Sequence, residues 1–233
     1  MRIKLFMDGA ELAGMREAYR QGMVQGFTTN PTLMRKAGVT DYEAFAREAI
    51  AAIPDLPISF EVFSDDFGAM TDEARVIASW GGHTYIKIPI TNTQGESSVP
   101  LIEKLSGEGL SLNVTAILTL DQVRLAVKAL NPEVPSIVSV FAGRIADTGV
   151  DPVPLMVSAL QFVRDNSKAE LLWASPREVL NLVQAEQSGC DIITATGDVL
   201  NKLHVVGKDL DEFSLETVRM FHSDAKAAGY QIL

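Results

Sequence analysis

The sequence has little cysteine, no long apolar run and no excess of basic charge, and each shortage excludes a class of protein. Its 233 residues include one cysteine, Cys190, so an internal disulfide cannot form, and we expect a buried thiol in a cytoplasmic chain. No apolar run approaches the roughly 18 residues of a transmembrane helix, and a signal-peptide pattern is absent. The formal net charge of −10 argues against nucleic acid and anionic membrane as partners.

Several motifs of common binding sites are also missing. The three histidines, His83, His204 and His222, are scattered and do not have the spacing of metal ligands. No Gly-x-Gly-x-x-Gly or phosphate-loop sequence follows any predicted strand, so the usual signatures of nucleotide-binding sheets are absent.

Short apolar runs, many of them β-branched, alternate along the chain with stretches of helical periodicity. Parallel strands joined by crossover helices produce this pattern. Hydrophobic residues make up 47% of the chain, which is enough to bury a sizeable core. Eight strands are predicted, at Ile3–Asp8, Val24–Thr29, Ile58–Val62, Tyr85–Pro89, Leu110–Val114, Ser136–Phe141, Glu170–Ala174 and Asp191–Thr194.

This alternation predicts an α/β fold, a single (β/α)8 TIM barrel that forms one domain over residues 1–233. A doubly wound open sheet is the alternative fold. After the seventh strand we predict a helix over Pro176–Gln187, with Ser175 as its N-cap. An additional C-terminal helix over about 214–229 is not needed to close a barrel, and it could cover one end or reach a neighbouring subunit.

Lys87 is the most informative of the polar residues near the strand ends, where barrel enzymes carry their catalytic groups. It lies between apolar residues inside a strand, and lysine is rarely buried because desolvation of its charge is costly. An inward-facing lysine would be desolvated, which favours the neutral amine, a nucleophile toward carbonyls. A lysine that extends to solvent is the commoner interpretation of the local sequence alone.

Other strand-end residues favour the nucleophile. Asp8 and Glu61 are carboxylates that can exchange protons with sugar hydroxyls, and the amides of Asn30 and Asn113 can orient hydroxyl groups. Each has a structural alternative: Asp8 could cap a helix, and Asn30 precedes Pro31 in a sequence typical of turns. It is their combination with Lys87 that indicates a catalytic site.

An anion site is predicted at the ends of the sixth and seventh strands. Arg144 follows Gly143 in a predicted loop, where the backbone can approach a ligand closely. Ser175 and Arg177 stand at a predicted helix start, whose free N–H groups attract phosphate. Taken singly, each is more often a surface residue or a cap, so the prediction depends on their convergence.

Five motifs, in order over nearly the whole chain, resemble those of the transaldolase family. They are Phe6-Met7-Asp8 with Gly26-Phe27-Thr28-Thr29-Asn30-Pro31-Thr32-Leu33, then Lys87-Ile88-Pro89, Asn113-Val114-Thr115-Ala116, Ser139-Val140-Phe141-Ala142-Gly143-Arg144-Ile145, and Ala174-Ser175-Pro176-Arg177. The resemblance implies a class I, Schiff-base mechanism on a (β/α)8 barrel.

The resemblance also implies a role for each matched residue. Lys87 would form an imine with a ketose, Asp8 would serve as acid and base when the bond between C3 and C4 breaks, and Glu61 and Thr115 would hold a catalytic water. The hydroxyl groups of the dihydroxyacetone unit would be bound by Thr29, Asn30, Asn113 and Ser139, and the distal phosphate by Arg144, Ser175 and Arg177. Neither a metal nor an organic cofactor is implied. Sugar phosphates would be the substrates, in cytoplasmic carbohydrate metabolism such as the pentose phosphate pathway, and the protein would be a homo-oligomer, a pentamer or decamer.

Three alternatives remain open at this point. A fructose-6-phosphate aldolase would release free dihydroxyacetone, but Glu61 and Phe141 are of the transaldolase type, because glutamine and tyrosine are typical of the aldolases. Pro176 stands where an aromatic residue is common, which leaves room for a sulfonated sugar, 6-deoxy-6-sulfofructose, in place of a phosphate. A barrel that only binds a phosphosugar is the non-enzymatic alternative, and it would not need a nucleophilic lysine.

Overall fold

The computed structural model describes residues 2–232, and it confirms the closed (β/α)8 barrel. Eight parallel strands pair in sequence order, and the last strand pairs with the first, so the open doubly wound sheet is excluded. The strands are β1 (Lys4–Asp8), β2 (Gly26–Thr28), β3 (Ile58–Glu61), β4 (Thr84–Pro89), β5 (Leu112–Ile117), β6 (Ile137–Val140), β7 (Glu170–Trp173) and β8 (Ile192–Ala195).

Helices connect the strands on the outside of the barrel, as expected for βαβ units. Over residues 2–232 they are α1 (Leu12–Arg20), α2 (Pro31–Lys36), α3 (Tyr42–Ala52), α4 (Phe67–Ser79), α5 (Val99–Gly107), α6 (Leu120–Ala129), α7 (Ala142–Asp147), α8 (Val153–Asn166), α9 (Leu180–Gln187), α10 (Gly197–Leu200) and α11 (Leu210–Ala227), with a 3-10 helix at Leu203–Val205. None of these helices is long and apolar enough to cross a membrane.

The chain divides into two compact units, and the boundary lies between Leu200 and Asn201. The first unit contains all eight strands and α1 to α10; the second contains the 3-10 helix and α11.

Helix α11 begins at Leu210, earlier than predicted, because the Asp209 carboxylate accepts the N–H groups of two first-turn residues. No residue of α11 is buried, and six of its large apolar side chains are exposed: Leu210, Phe213, Leu215, Val218, Met220 and Phe221. The expectations that the chain forms a single domain and that the protein is a homo-oligomer both remain predictions.

Strand residues alternate between the barrel interior and the layer of helices. The interior contains a buried apolar cluster that includes Phe6, Ile137, Leu172 and Ile192. Residues one position away, such as Phe27, are completely buried too. Burial on both faces explains why the strands are nearly continuous apolar runs. Since the interior residue that follows Phe6 is Asp8, the apolar cluster fills the N-terminal part of the barrel and leaves the C-terminal part to polar groups.

The connection after β6 differs from the prediction. Arg144 was expected in a loop, but it lies in the short helix α7, which follows the strand almost directly. The six residues of α7 are too few to produce a helical period in the sequence, so the helix could not be recognised there. Arg144 nevertheless remains close to the end of β6.

The connection after β7 corrects a second expectation. The predicted helix at Pro176 begins instead at Leu180, and Ser175 is not its cap. Ser175 has a left-handed backbone with φ of 59°, which a helix start does not permit. The side-chain oxygen of Asn181 accepts the N–H groups of Arg177 and Glu178, so these donors are satisfied without a helical turn.

Gly26 allows the interior packing of Phe6, its register partner on the neighbouring strand. A Cβ atom at Gly26 would lie 2.4 Å from the Phe6 ring, a distance that nonbonded carbon atoms do not tolerate. The ring is 2% exposed, so an added Cβ atom would displace a side chain that is packed inside the barrel. The barrel therefore requires a glycine at this position.

We expect Gly26→Ala to lower the free energy of unfolding by about 1–3 kcal/mol or more, the usual cost of overpacking a core. Thermal denaturation followed by circular dichroism measures the change as a lower Tm. The matched control is Gly107→Ala at the end of α5, where an added Cβ meets no atom within 4 Å. Equal Tm values for the two variants would contradict the packing argument.

Candidate active site

A cavity of about 510 Å³ opens at the C-terminal ends of the strands, within the size range of small-molecule sites. Ten of the twelve residues predicted for the site line it: Asp8, Asn30, Glu61, Lys87, Thr115, Ser139, Phe141, Arg144, Ser175 and Arg177. The other two, Thr29 and Asn113, are not among the lining residues. The fold thus gathers residues that are up to 169 positions apart in the sequence.

Lys87 lies inside the barrel and is 6% exposed, so its side chain does not extend to bulk solvent. Its Nζ is 3.2 Å from Glu61 Oε2 and donates a hydrogen bond of 2.9 Å to the carbonyl oxygen of Thr29. Glu61 is the register partner of Lys87 on the adjacent strand, which brings the two side chains to the same level of the interior. The adjacent carboxylate partly offsets the cost of burying the amine and keeps a proton acceptor beside it.

Asp8 occupies the end of β1 and does not cap α1, which has Glu11 at its N-cap position. Burial raises the pKa of Asp8, while the positive charge of Lys87 and hydrogen bonds from Thr28 and Asn30 act in the opposite direction. A carboxylate with a raised pKa, directed into a polar cavity, suits a group that must accept a proton and return it.

Two threonines next to Asp8 were missed by the sequence analysis. Thr28 Oγ1 donates to Asp8 Oδ1 at 2.8 Å, and it lies 2.5 Å from Thr194 Oγ1 on β8. Both threonines line the cavity and are almost completely buried. Strand alternation could have identified Thr28, because it is two residues from Gly26 and therefore shares its interior face. Threonine is also a common residue of buried strands, so its presence alone gave no signal.

A buried hydrogen-bond network positions Ser139 at the cavity wall. Ser139 Oγ donates to Asn113 Oδ1 at 2.6 Å, and Asn113 Nδ2 donates to Ser59 Oγ at 3.0 Å. Thr29 belongs to the same region, since its hydroxyl donates to the carbonyl oxygen of Ser59 at 2.9 Å. Thr29 and Asn113 thus orient neighbouring groups, and direct contact of their side chains with substrate stays a prediction.

The end of β5 contributes a hydroxyl group and a strained backbone. Thr115 Oγ1 is buried and has no hydrogen-bond partner among residues 2–232, so it is free to bond with a molecule in the cavity. Ala116, the next residue, has φ of 60°, and the pairing of β5 with β6 shifts register between Val114 and Ile117. Left-handed residues other than glycine cost about 1–3 kcal/mol and are found most often at functional sites.

Two arginines provide positive charge at the rim. The Arg144 guanidinium lies 5.4 Å from the centre of the Phe141 ring, a cation–π contact. Arg177 Nε lies 3.0 Å and 3.1 Å from the two carboxylate oxygens of Asp147, which holds the guanidinium in one orientation. Hydrogen bonding to Arg177, together with the charges of Arg177 and Arg144, lowers the pKa of Asp147. The pair therefore stays ionised at neutral pH.

Gly143 allows the loops that carry the two arginines to touch. A Cβ atom at this position would lie 1.5 Å from the Ser175 carbonyl oxygen, so any other residue would separate the segments. The Gly143 N–H also donates to the carbonyl oxygen of Ala174 at 3.2 Å. The sequence analysis predicted that this glycine allows close approach of a ligand, but the group that approaches it is the backbone of the neighbouring loop.

The described residues also bear on thiol reactivity and on metal binding. Cys190 is buried, as predicted, and desolvation raises the pKa of its thiol to about 11, so it is unreactive at neutral pH. Within residues 2–232, no group of three or more His, Cys, Asp and Glu side chains is placed to hold a metal ion.

Comparison of sequences relates the chain to several curated proteins over most of their lengths. It is 35% identical to "Probable transaldolase 2" of Listeria monocytogenes over 203 residues, which are 86% of this chain and 88% of the relative. It is 37% identical to "Probable transaldolase" of Caldicellulosiruptor saccharolyticus and 36% identical to that of Methanococcus maripaludis, each over 86% of this chain and 89% of the relative.

Comparison of structures supports the fold. A crystal structure of a dihydrodipicolinate synthase family protein from Coccidioides immitis superposes with a TM-score of 0.60 at 12% identity, over 83% of this chain and 66% of the other. Dihydrodipicolinate synthase from Rhodopseudomonas palustris gives a TM-score of 0.57 at 13% identity, over 87% and 74%. A family model, Transaldolase/Fructose-6-phosphate aldolase, matches residues 5–232. The chain therefore belongs to the transaldolase/fructose-6-phosphate aldolase family.

Proposed function

We propose that the protein is a transaldolase that carries a dihydroxyacetone unit on Lys87. The observation that carries the proposal is the buried Lys87 amine, 3.2 Å from Glu61 in a cavity whose rim holds two arginines. After its proton passes to Glu61, the amine attacks the C2 carbonyl of a ketose phosphate, and loss of water gives an iminium ion. Glu61 and the unpaired Thr115 hydroxyl would hold the water that moves protons in this step.

The iminium ion accepts the electron pair released when the bond between C3 and C4 breaks. Asp8 takes the proton of the C4 hydroxyl group, the C4 carbonyl forms, and an aldehyde leaves while the enamine remains on Lys87. The enamine then attacks the carbonyl carbon of an acceptor aldehyde, and Asp8 returns its proton to the new hydroxyl group. Hydrolysis of the new imine releases the product ketose and restores the amine, so each proton and water is balanced over the cycle.

Transfer is favoured over release of free dihydroxyacetone by the ring at Phe141. Release requires protonation of the enamine at C3 and hydrolysis of the resulting imine before an acceptor arrives, and a phenyl ring has no hydroxyl group that could orient the attacking water. Phe141 lines the cavity and contacts Arg144, so it occupies wall area beside the reacting groups. The fructose-6-phosphate aldolase reaction is the second candidate because the family includes both activities.

The distal anionic group of the substrate would bind between Arg144 and Arg177, with the Ser175 hydroxyl as a neutral donor. A guanidinium that is already oriented by Asp147 loses little conformational entropy on binding an oxyanion. Phosphate is the substrate group proposed here. A sulfonate offers the same three oxygens with a smaller charge, so a sulfosugar remains the alternative substrate.

Borohydride trapping tests the covalent step. Incubation with fructose 6-phosphate followed by borohydride should give a reduced adduct, which peptide mass spectrometry should locate on Lys87. Lys87→Met should fold, give no adduct and lose turnover by at least about 10³-fold, because no other group replaces the nucleophile. Absence of a Lys87 adduct with every ketose phosphate and the ketose sulfonate tried would refute the mechanism; an unfolded Lys87→Met would instead show that the lysine is structural.

Dependence on an acceptor distinguishes the two activities of the family. We expect rapid consumption of fructose 6-phosphate only when erythrose 4-phosphate is present, because the enamine otherwise remains on the enzyme. Chromatography quantifies the product ketose, and an enzymatic assay quantifies free dihydroxyacetone. Stoichiometric release of dihydroxyacetone without acceptor would reassign the protein as an aldolase.

Arg177→Gln tests the anion site. We expect the KM for fructose 6-phosphate to rise about tenfold or more, since hydrogen bonds to charged groups contribute about 1.5–3 kcal/mol. The KM for unphosphorylated fructose should not change. The control is Arg124→Gln, which breaks a comparably exposed Arg–Asp pair on α6, away from the cavity. A KM that rises equally for both sugars would place Arg177 outside the anion site.

A further inference from the structure

A line of three side chains crosses the interior at the level of Asp8. Thr28 Oγ1 is 2.8 Å from Asp8 Oδ1, and Thr194 Oγ1 is 2.5 Å from Thr28 Oγ1. The three residues belong to β1, β2 and β8, and β1 lies between the other two strands and pairs with both. Thr28 is 2% exposed and Thr194 is 3% exposed, so bulk water does not compete for these bonds.

The direction of each hydrogen bond follows from the number of protons. A hydroxyl group has one hydrogen, and an ionised carboxylate has none. Thr28 must therefore donate its hydrogen to Asp8 while Asp8 is ionised. The contact with Thr194 can then be a hydrogen bond only if Thr194 donates to the Thr28 oxygen. Donation into that oxygen polarises the Thr28 O–H bond and strengthens its bond to Asp8.

We propose that Thr194, acting through Thr28, is a positioning residue that keeps Asp8 a proton acceptor at the start of each catalytic cycle. The inference rests on the proposed function, in which Asp8 removes the proton of the C4 hydroxyl group. The bond from Thr28 to Oδ1 fixes the orientation of the carboxylate. Thr194 need not touch the reacting atoms for this effect.

The chain opposes burial, which raises the pKa of Asp8. Among the elements that pack on β1, strands β2 and β8 contribute no ionisable side chain, and Asp198 of α10 is exposed. Across the cavity, Lys87 attracts the ionised form of Asp8, while Glu61 is paired with that lysine. The rim arginines are the remaining charges of the cavity. The two hydroxyl groups, like the Asn30 amide, are parts of this environment that can be removed without a change of charge.

The sign of the expected change follows directly. Asp8 must be ionised to accept a proton, so kcat falls as pH falls through its pKa. Removal of a donor that stabilises the carboxylate raises this pKa, and the acidic limb of the profile of kcat against pH moves to higher pH. We expect Thr194→Val to move the limb by about half a pH unit and Thr28→Val, which loses the direct bond, by about one unit or more.

Conservative variants separate the hydrogen bond from packing. Thr194→Ser keeps the hydroxyl group, so the acidic limb of its kcat profile should lie at the same pH as in the natural protein. Thr194→Ala should shift the limb by about as much as Thr194→Val does. Comparison of serine with alanine keeps the test decisive if the valine variant does not fold. Thr71→Val, which removes a buried threonine hydroxyl in α4, is the matched control and should leave the profile unchanged.

Borohydride trapping on the same variants distinguishes the two proposals. A Lys87 adduct in Thr194→Val and Thr194→Ala, together with an acidic limb that does not move, would overturn the role of Thr194 and leave the covalent mechanism intact. A uniform drop in kcat without a shift of the limb would have the same meaning, because it indicates a structural role. Failure to trap the natural protein would refute the covalent mechanism itself.

Discussion

The ion pair between Lys87 and Glu61 is the interaction on which the remainder of the site depends. A lysine that is 6% exposed loses most of its hydration, and such a group is stable only beside compensating charge and hydrogen-bond acceptors. Glu61 supplies the charge at 3.2 Å, and the Thr29 carbonyl oxygen supplies an acceptor at 2.9 Å. The Tyr42 hydroxyl group in turn donates to the Glu61 carbonyl oxygen at 3.0 Å, so the strand end that carries the carboxylate is itself fixed.

The sequence was sufficient to predict the barrel, because the property that identifies its strands is local. Strands buried on both faces must be short, apolar runs, and all eight were found within about three residues of their true bounds. The connections were harder to predict. The left-handed backbone of Ser175, the contact of Gly143 with the Ser175 carbonyl and the short helix α7 depend on groups from two different loops. No local pattern in either loop specifies them.

The same distinction applies to the site. Residues with unusual chemistry at strand ends, such as Lys87, Asp8 and Arg177, could be identified because charge is rare in apolar strands. Strand alternation places Thr28 on the interior face, but neither Thr28 nor Thr194 could be assigned a role, since a hydroxyl group in a strand is ordinary until its neighbours are known. Asn113 illustrates what the sequence leaves out: its amide is suited to sugar hydroxyls, and in the fold it also connects Ser139 to Ser59. The sequence indicates which groups are present, and the register between strands decides which of them meet.

Barrel topology also gives the two carboxylates of the proposed mechanism different roles that they cannot exchange. Glu61 is on the strand adjacent to Lys87, at the same level, so it can serve only atoms close to the amine, such as the C2 oxygen. The C4 hydroxyl group is two carbon atoms farther along the substrate than C2. In the proposed mechanism its base must therefore lie farther from the amine than Glu61 does, by about that distance. Asp8 is on β1, three strands away from β4 around the barrel, and its carboxylate accepts hydrogen bonds from Thr28 and Asn30. The closed barrel fixes both the distance from Lys87 to Glu61 and the distance from Lys87 to Asp8. In the proposed mechanism each carboxylate therefore acts on a different carbon because of the strand that carries it, and the neighbours of each then adapt it to its task.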